Sequence, residues 1–185
     1  MFADKEGLKP SQNAYDWLGN GIYFWENSPQ RAAEWGRERK KRGKINNPVV
    51  VGAVIALGRC FDLIESHSLT VLREHHDAMV ETYRTADLED KIPINEAIGD
   101  STDLVLRHLD CAVIEYMHSQ IEEQADGDAH LRPFDSVRAA FWEGDELYPT
   151  AGFKQKNHIQ ICVRNVNCIK GYFRPLEADS RSPLV

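Results

Sequence analysis

The sequence predicts an α+β fold from three observations. Short apolar runs typical of strands lie toward both ends of the chain, at residues 22–25, 49–57, 134–142, 159–163 and 169–173. Apolar residues recur at helical spacing in residues 28–42 and through residues 66–125. A length of 185 residues suits one domain with a sizeable core. We therefore expect a single domain over residues 1–176 and a flexible tail over residues 177–185.

The composition argues against several function classes, although a local basic patch could still bind nucleic acid. The formal net charge of −7 argues against broad electrostatic binding to nucleic acid. No apolar run approaches the roughly 20 residues of a membrane span, and no signal peptide opens the chain. The four cysteines are widely spaced, which favours reduced thiols and a cytoplasmic location over a disulfide framework or a zinc site. The histidines also lack the spacing of a metal motif, so we expect no metal.

The stretch at residues 17–25, Trp-Leu-Gly-Asn-Gly-Ile-Tyr-Phe-Trp, is the most distinctive in the chain. Gly19 and Gly21 let the backbone pass close to a ligand. The aromatic run that follows is typical of a strand, and Ser28-Pro29 suits the start of a helix. A glycine turn, an aromatic strand and a capped helix could form a wall on which a flat ring stacks. The alternative is a core strand after an ordinary turn.

The next elements are a helix and a strand. The helix at residues 28–42 is predicted to place Ala32, Ala33 and Trp35 inward. Its basic end, residues 37–44, is either a solvated helix terminus or a contact for phosphates. The continuous apolar run at residues 49–57 predicts a central strand buried on both faces.

The middle of the chain, residues 66–125, is predicted to be helical. Breaks at Ile92-Pro93 and Gly99-Asp100 divide it into two helices. In the second helix, Val113 and Met117 recur at the spacing of an inward face.

The strand near the C-terminus has two distinct faces, because side chains alternate along a strand. One face, expected to be the core, carries Ile159, Ile161 and Val163. The other face carries His158, Gln160 and Cys162, and is either a ligand-facing surface or a plain solvent face.

Several of these segments resemble the ADP-ribosyltransferases of the poly(ADP-ribose) polymerase type. The run Gly-Asn-Gly-Ile-Tyr-Phe at residues 19–24, followed by Arg31-Ala32, is similar to the second signature of that family. Residues 51–58 look like the family's next strand, and residues 134–137 and 158–163 come in the family's order. The first signature, a strand with a His-Gly pair, would precede Gly7-Leu8, and nothing here matches it. Loss of that strand, a true start upstream, or departure from the family would each explain this.

The resemblance implies a fold and a cofactor site. The fold is an ADP-ribosyltransferase-like pair of packed, mostly antiparallel small sheets with flanking helices and a helical insertion at about residues 66–125. NAD is the substrate, with Gly19, Asn20 and Gly21 lining its pocket and Tyr23 as the stacking aromatic. Arg31 is also placed among the NAD-binding residues.

The family's third signature supplies a catalytic Glu that holds a ribose hydroxyl and stabilises the developing cation. The alternation of the last strand makes Gln160 the best counterpart and His158 the second. Because neither side chain carries the negative charge, Glu143 or Glu146 on the preceding loop could return a carboxylate. The catalytic candidates are therefore Gln160, His158 and Glu143, together with the stacking residue Tyr23.

The function expected from the resemblance is NAD-dependent mono-ADP-ribosyl transfer to a protein or nucleic-acid acceptor. The alternative is a catalytically degenerate module that binds NAD or ADP-ribose. The missing His strand and Gln160 favour the alternative, whereas the intact Gly-x-Gly-Ile-Tyr-Phe run favours the enzyme.

Overall fold

The computed structural model describes residues 8–99, 103–125 and 131–175. Residues 1–7 and the predicted tail at residues 177–185 lie outside the described residues. The elements in chain order are β1 (Ile22–Trp25), α1 (Pro29–Lys41), β2 (Gly52–Ile55), β3 (Cys60–Asp62), α2 (Ser66–Thr85), β4 (Asn95–Ala97), β5 (Leu104–Arg107), α3 (His108–Ala125), β6 (Ser136–Phe141), β7 (His158–Val163) and β8 (Ile169–Phe173). The α+β prediction is confirmed.

A four-stranded sheet in the order β1-β7-β6-β3 forms the centre of the fold. β7 is antiparallel to both β1 and β6, whereas β3 runs parallel to β6. Three of these strands coincide with the predicted apolar runs, and the short strand β3 was not predicted.

One face of this sheet packs against α3. The buried cluster between them consists of Leu18, Phe61, Ile114, Met117, Val137, Ala139 and Cys162. Val113 and Met117, predicted to face inward, are 4% and 0% exposed. Since a buried side chain of this size contributes roughly 2 kcal/mol, α3 is an integral part of the core.

The opposite face packs against a two-stranded antiparallel sheet, formed by β2 and β8. The prediction that residues 49–57 form a central strand buried on both faces is wrong. β2 pairs with β8 and, at 58% exposure, Val54 lies in solvent. Because an antiparallel sheet can face water on one side, an apolar run does not need a cover on both faces.

The helix α1 begins and ends within one residue of the predicted bounds, but its buried side is different. Trp35 is 44% exposed, so its predicted inward position is wrong, and the buried residues of α1 are Arg31 and Gly36. A Cβ at Gly36 would lie 2.9 Å from the Cβ of Pro48. The close approach of Pro48 therefore selects the glycine side of the helix for burial.

The all-helical prediction for residues 66–125 is wrong between the two helices, where β4 and β5 form an antiparallel hairpin. The side-chain oxygen of Asn95 accepts hydrogen bonds from the backbone N–H groups of Leu109 and Asp110, at 2.9 and 3.2 Å. These hydrogen bonds hold the hairpin against the first turn of α3, a contact that local periodicity does not predict.

None of the helices in the described ranges combines the length and apolar character needed to span a bilayer.

Candidate functional site

Aromatic and polar side chains meet at one end of the central sheet. In the antiparallel register, Trp25 of β1 lies opposite Gln160 of β7, and Phe141 of β6 lies opposite His158. Directly opposite residues share a face of the sheet, so these four side chains are on one side. With Trp17 from the preceding loop, they form what we call the Gln160 cluster.

A chain of hydrogen bonds runs through this cluster. The indole N–H of Trp17 donates to Oε1 of Gln160 at 2.7 Å. Nε2 of Gln160 lies 3.0 Å from Nε2 of His158, and Nδ1 of His158 lies 2.7 Å from the backbone carbonyl oxygen of Lys156. The sequence stretch at residues 17–25 contained Trp17, but nothing in it indicated a partner 143 positions away.

His158 is 9% exposed, so the solvent-face alternative is wrong for this residue. Burial lowers its pKa, and the nearby Arg31 charge acts in the same direction, whereas the hydrogen bond to Lys156 and the Glu143 charge oppose the shift. The imidazole is therefore neutral at pH 7 and acts as a hydrogen-bond donor and acceptor.

Aromatic rings and one guanidinium surround the hydrogen-bonded chain. The Trp17 and Phe141 rings are 4.8 Å apart in an edge-on arrangement, and Phe141 and His158 are 5.3 Å apart. The guanidinium carbon of Arg107 lies 4.5 Å from the centre of the Phe141 ring and 5.1 Å from that of Trp17. Arg107 thus makes cation–π contacts with the cluster from the β4–β5 side.

Charged side chains from α1 and the loop before β7 flank the cluster. Arg31 donates to Glu34 at 2.6 Å and to Glu143 at 3.1 Å. Lys156 lies 3.0 Å from Glu38 and 3.6 Å from Glu143. Of the predicted site residues, the structure therefore brings Gln160, His158, Glu143 and Arg31 into one neighbourhood.

The predicted turn Gly19-Asn20-Gly21 lies at the other end of β1. Gly19 has φ +79, and a Cβ there would lie 2.3 Å from a carboxylate oxygen of Glu115. Glu115 of α3 accepts hydrogen bonds from the backbone N–H and the side-chain amide of Asn20, at 2.8 and 3.0 Å. Arg164 completes an ion pair with Glu115. Burial opposes ionisation of Glu115, but the hydrogen bonds from Arg164 and Asn20 lower its pKa overall.

Sequence reasoning missed the pair Glu115 and Arg164. A usable signal was present, because Glu115 is a carboxylate between the inward residues Val113 and Met117 of a helix. A shallow pocket of about 450 Å³ lies beside this turn and is lined in part by Asn20, Gly21, Phe134 and Arg164. The turn and the Gln160 cluster are thus separate places, joined by β1 and by the side chain of Trp17.

Tyr23 shares a face with Gln160, lying opposite Cys162 on the neighbouring strand. Its ring packs against the core under α3. Its hydroxyl accepts a hydrogen bond from Leu18 N–H at 3.0 Å and donates one to the Gly19 carbonyl at 2.8 Å. Burial raises the pKa of this phenol far above its usual range. The observed role of Tyr23 is to hold the glycine turn, and its stacking on a ligand stays a prediction.

We expect Tyr23→Phe to lower the free energy of unfolding by about 1–3 kcal/mol, because it leaves the Leu18 N–H and the Gly19 carbonyl without this partner. Urea unfolding measures the change. Tyr172→Phe, at a tyrosine that is 46% exposed, is the matched control and should stay within about 0.5 kcal/mol of the parent. Equal stability of the two variants would contradict the role in the turn.

No group of three His, Cys, Asp or Glu side chains within residues 8–99, 103–125 and 131–175 is arranged to hold a metal ion.

The chain is 27% identical over 188 aligned positions to an uncharacterized protein of Methanocaldococcus jannaschii, and the alignment covers 90% of this chain and 77% of that protein. No family model matches the chain, and no solved structure matches it.

Proposed function

We propose that the chain is an NAD-dependent enzyme that transfers a single ADP-ribose unit to a macromolecular acceptor. The pairing of β1 with β7 carries this proposal. The strand with the Gly-x-Gly-Ile-Tyr-Phe run lies directly beside the strand with the candidate third-signature residues, and Trp25 faces Gln160. The packing of the central sheet on the small β2–β8 sheet also supports a fold of the ADP-ribosyltransferase type.

The reaction breaks the bond between the nicotinamide nitrogen and the ribose carbon, and nicotinamide leaves with the electron pair. An acceptor nucleophile then bonds the ribose carbon and loses its proton. Gln160 would hydrogen-bond a ribose hydroxyl, and the aromatic rings of the cluster would contact the nicotinamide ring. Arg31 and Lys156 would place positive charge near the pyrophosphate, although both are already paired with carboxylates.

One observation favours a second candidate function, a module that binds NAD or ADP-ribose without turnover. Gln160 and His158 are hydrogen-bonded to each other and carry no negative charge. The adjacent carboxylate, Glu143, lies between two cations, at 3.1 Å from Arg31 and 3.6 Å from Lys156. A carboxylate that is neutralised in this way gives little stabilisation to a positive charge developing on ribose.

Two measurements on the purified protein decide between these functions. Calorimetry with NAD and with ADP-ribose tests binding, and nicotinamide release from NAD tests turnover. Release that is lost in Gln160→Met supports the enzyme, whereas binding without release supports the module. Gln124→Met, at an exposed glutamine of α3, is the matched control. If the protein shows no binding and no release, both functions are contradicted.

A further inference from the structure

The hydrogen-bonded chain through the Gln160 cluster has a single possible direction. An indole N–H can only donate, so the Gln160 atom 2.7 Å from it must be the carbonyl oxygen. A backbone carbonyl can only accept, so Nδ1 of His158, 2.7 Å from the Lys156 oxygen, must carry a proton. In the neutral imidazole, Nε2 is then an acceptor, and it faces the Gln160 NH₂ group at 3.0 Å. Both ends of the chain thus require the same orientation of the amide.

We propose that Trp17 is a positioning residue, whose indole N–H locks the Gln160 amide so that its NH₂ group serves His158 and the ligand. One of the two amide N–H groups is used by His158, and the second has no partner among the described residues. The group that Gln160 holds in a ligand is therefore an acceptor oxygen. That this ligand is NAD rests on the proposed function, but the orientation of the amide does not.

While His158 is neutral, its acceptor Nε2 also favours this orientation, but once the imidazole is protonated only Trp17 opposes the reverse one. Rotating the amide by half a turn would set its NH₂ group against the indole N–H, so that two donors face each other. In Trp17→Phe this conflict disappears, while an aromatic ring remains for Phe141 and Arg107 to contact. When His158 becomes protonated, the freed amide can turn its carbonyl toward Nε2 and accept a hydrogen bond from it.

The first test follows His158 by NMR in the protein without ligand. The charged groups around His158 are Arg31 of α1, Glu143 and Lys156 of the loop, and Arg107, which lies over Phe141. None of these charged groups is replaced in Trp17→Phe. A change in the pKa of His158 therefore reports a change in the orientation of the Gln160 amide. We expect the pKa of His158 to rise by about one unit, because its protonated form gains a hydrogen-bond acceptor.

Trp142→Phe is the control for this titration, because Trp142 is 54% exposed and is not a member of the hydrogen-bonded chain. It should titrate like the parent. Identical titration of Trp17→Phe and the parent would overturn the proposal. If Trp17→Phe does not fold, exchange of the indole N–H groups in the parent decides: protection of Trp17 about tenfold above Trp142 supports the proposal, and equal exchange overturns it.

The second test uses NAD. Trp17→Phe should weaken NAD binding about 5- to 10-fold in the parent, the scale of one neutral hydrogen bond, and less than about 2-fold in Gln160→Leu. Equal losses in the two backgrounds would mean that Trp17 contacts NAD itself and would overturn the positioning role. If the parent binds no NAD, the proposed function fails, and the titration of His158 still decides the role of Trp17.

Discussion

Gln160→Glu should release nicotinamide from NAD about 100-fold faster than the parent at alkaline pH, the scale of one well-placed electrostatic group. The carboxylate would stand where positive charge develops on ribose. Trp17 would still donate to it, since the indole N–H is 2.7 Å from the present carbonyl oxygen. A stopped or continuous assay of nicotinamide release measures the effect.

The acceleration should shrink as the pH falls, because of His158. Its Nε2 lies 3.0 Å from the amide nitrogen of Gln160, a position that a carboxylate oxygen would take in the variant. A carboxylate can only accept, so it favours a protonated imidazole and raises the pKa of His158. Above that pKa the new carboxylate keeps its full charge. Below it, an imidazolium neutralises the carboxylate, and the stabilisation of the ribose cation is lost.

The double variant Gln160→Glu with His158→Gln separates the two effects. It should keep the faster release and lose the pH dependence, since no imidazole remains to pair with the carboxylate. A Gln160→Glu variant slower than the parent would contradict the prediction and indicate that Glu143 supplies the native charge. Glu143→Gln should then abolish release. Glu146→Gln is the matched control, because Glu146 accepts a hydrogen bond from Thr150 N–H in an exposed part of the loop.

The sequence predicted the elements that carry their own local signal. Alternation in residues 158–163 correctly separated two faces, and Ile161 and Val163 pack toward β2 and β8. The prediction that the other face meets ligand or solvent is wrong for Cys162, which is 0% exposed in the core under α3. The glycines and the aromatic run at residues 19–25 correctly indicated a turn and a strand. In the helix α3, the spacing of Val113 and Met117 indicated the buried side.

The remainder depends on contacts between distant parts of the chain. The partner of Gln160 is Trp17, and the partner of Glu115 is Arg164, and no local pattern links either pair. A short apolar run also does not reveal how many of its faces will be covered, which is why β2 was placed in the centre. The β4–β5 hairpin was missed because it also depends on a contact between separate elements, in which Asn95 accepts a hydrogen bond from Leu109 of α3.

The free energy of unfolding should fall by up to about 3 kcal/mol between neutral pH and about pH 4, because of His118. This residue of α3 is 1% exposed, and its Nδ1 donates to the Ile114 carbonyl at 2.7 Å. Its buried Nε2 has no hydrogen-bond partner among the described residues, and the centres of the His118 and Phe134 rings are 5.9 Å apart. Burial and the Arg164 charge lower its pKa from 6.5 to about 4.

The sign of the effect follows from the two states of the protein. In the unfolded chain His118 binds a proton near pH 6.5, whereas in the folded protein it stays neutral down to about pH 4. Between these values the unfolded state binds more protons, so acid favours unfolding. Asp135 acts in a lower range, because hydrogen bonds led by that of Arg132 lower its pKa from 3.8 to about 2. The His118 window is therefore distinct from that of the carboxylate.

Urea unfolding at a series of pH values measures this loss, and His118→Gln removes the group that titrates. The variant should be less stable than the parent at neutral pH but should lose less stability between pH 6.5 and 4. Part of the loss should remain, because burial also lowers the pKa of His158. His67→Gln, at an exposed histidine of α2, is the matched control and should follow the parent. If His118→Gln and the parent lose stability in parallel, the buried imidazole is not the source of the acid sensitivity. Folding would then not lower the pKa of His118.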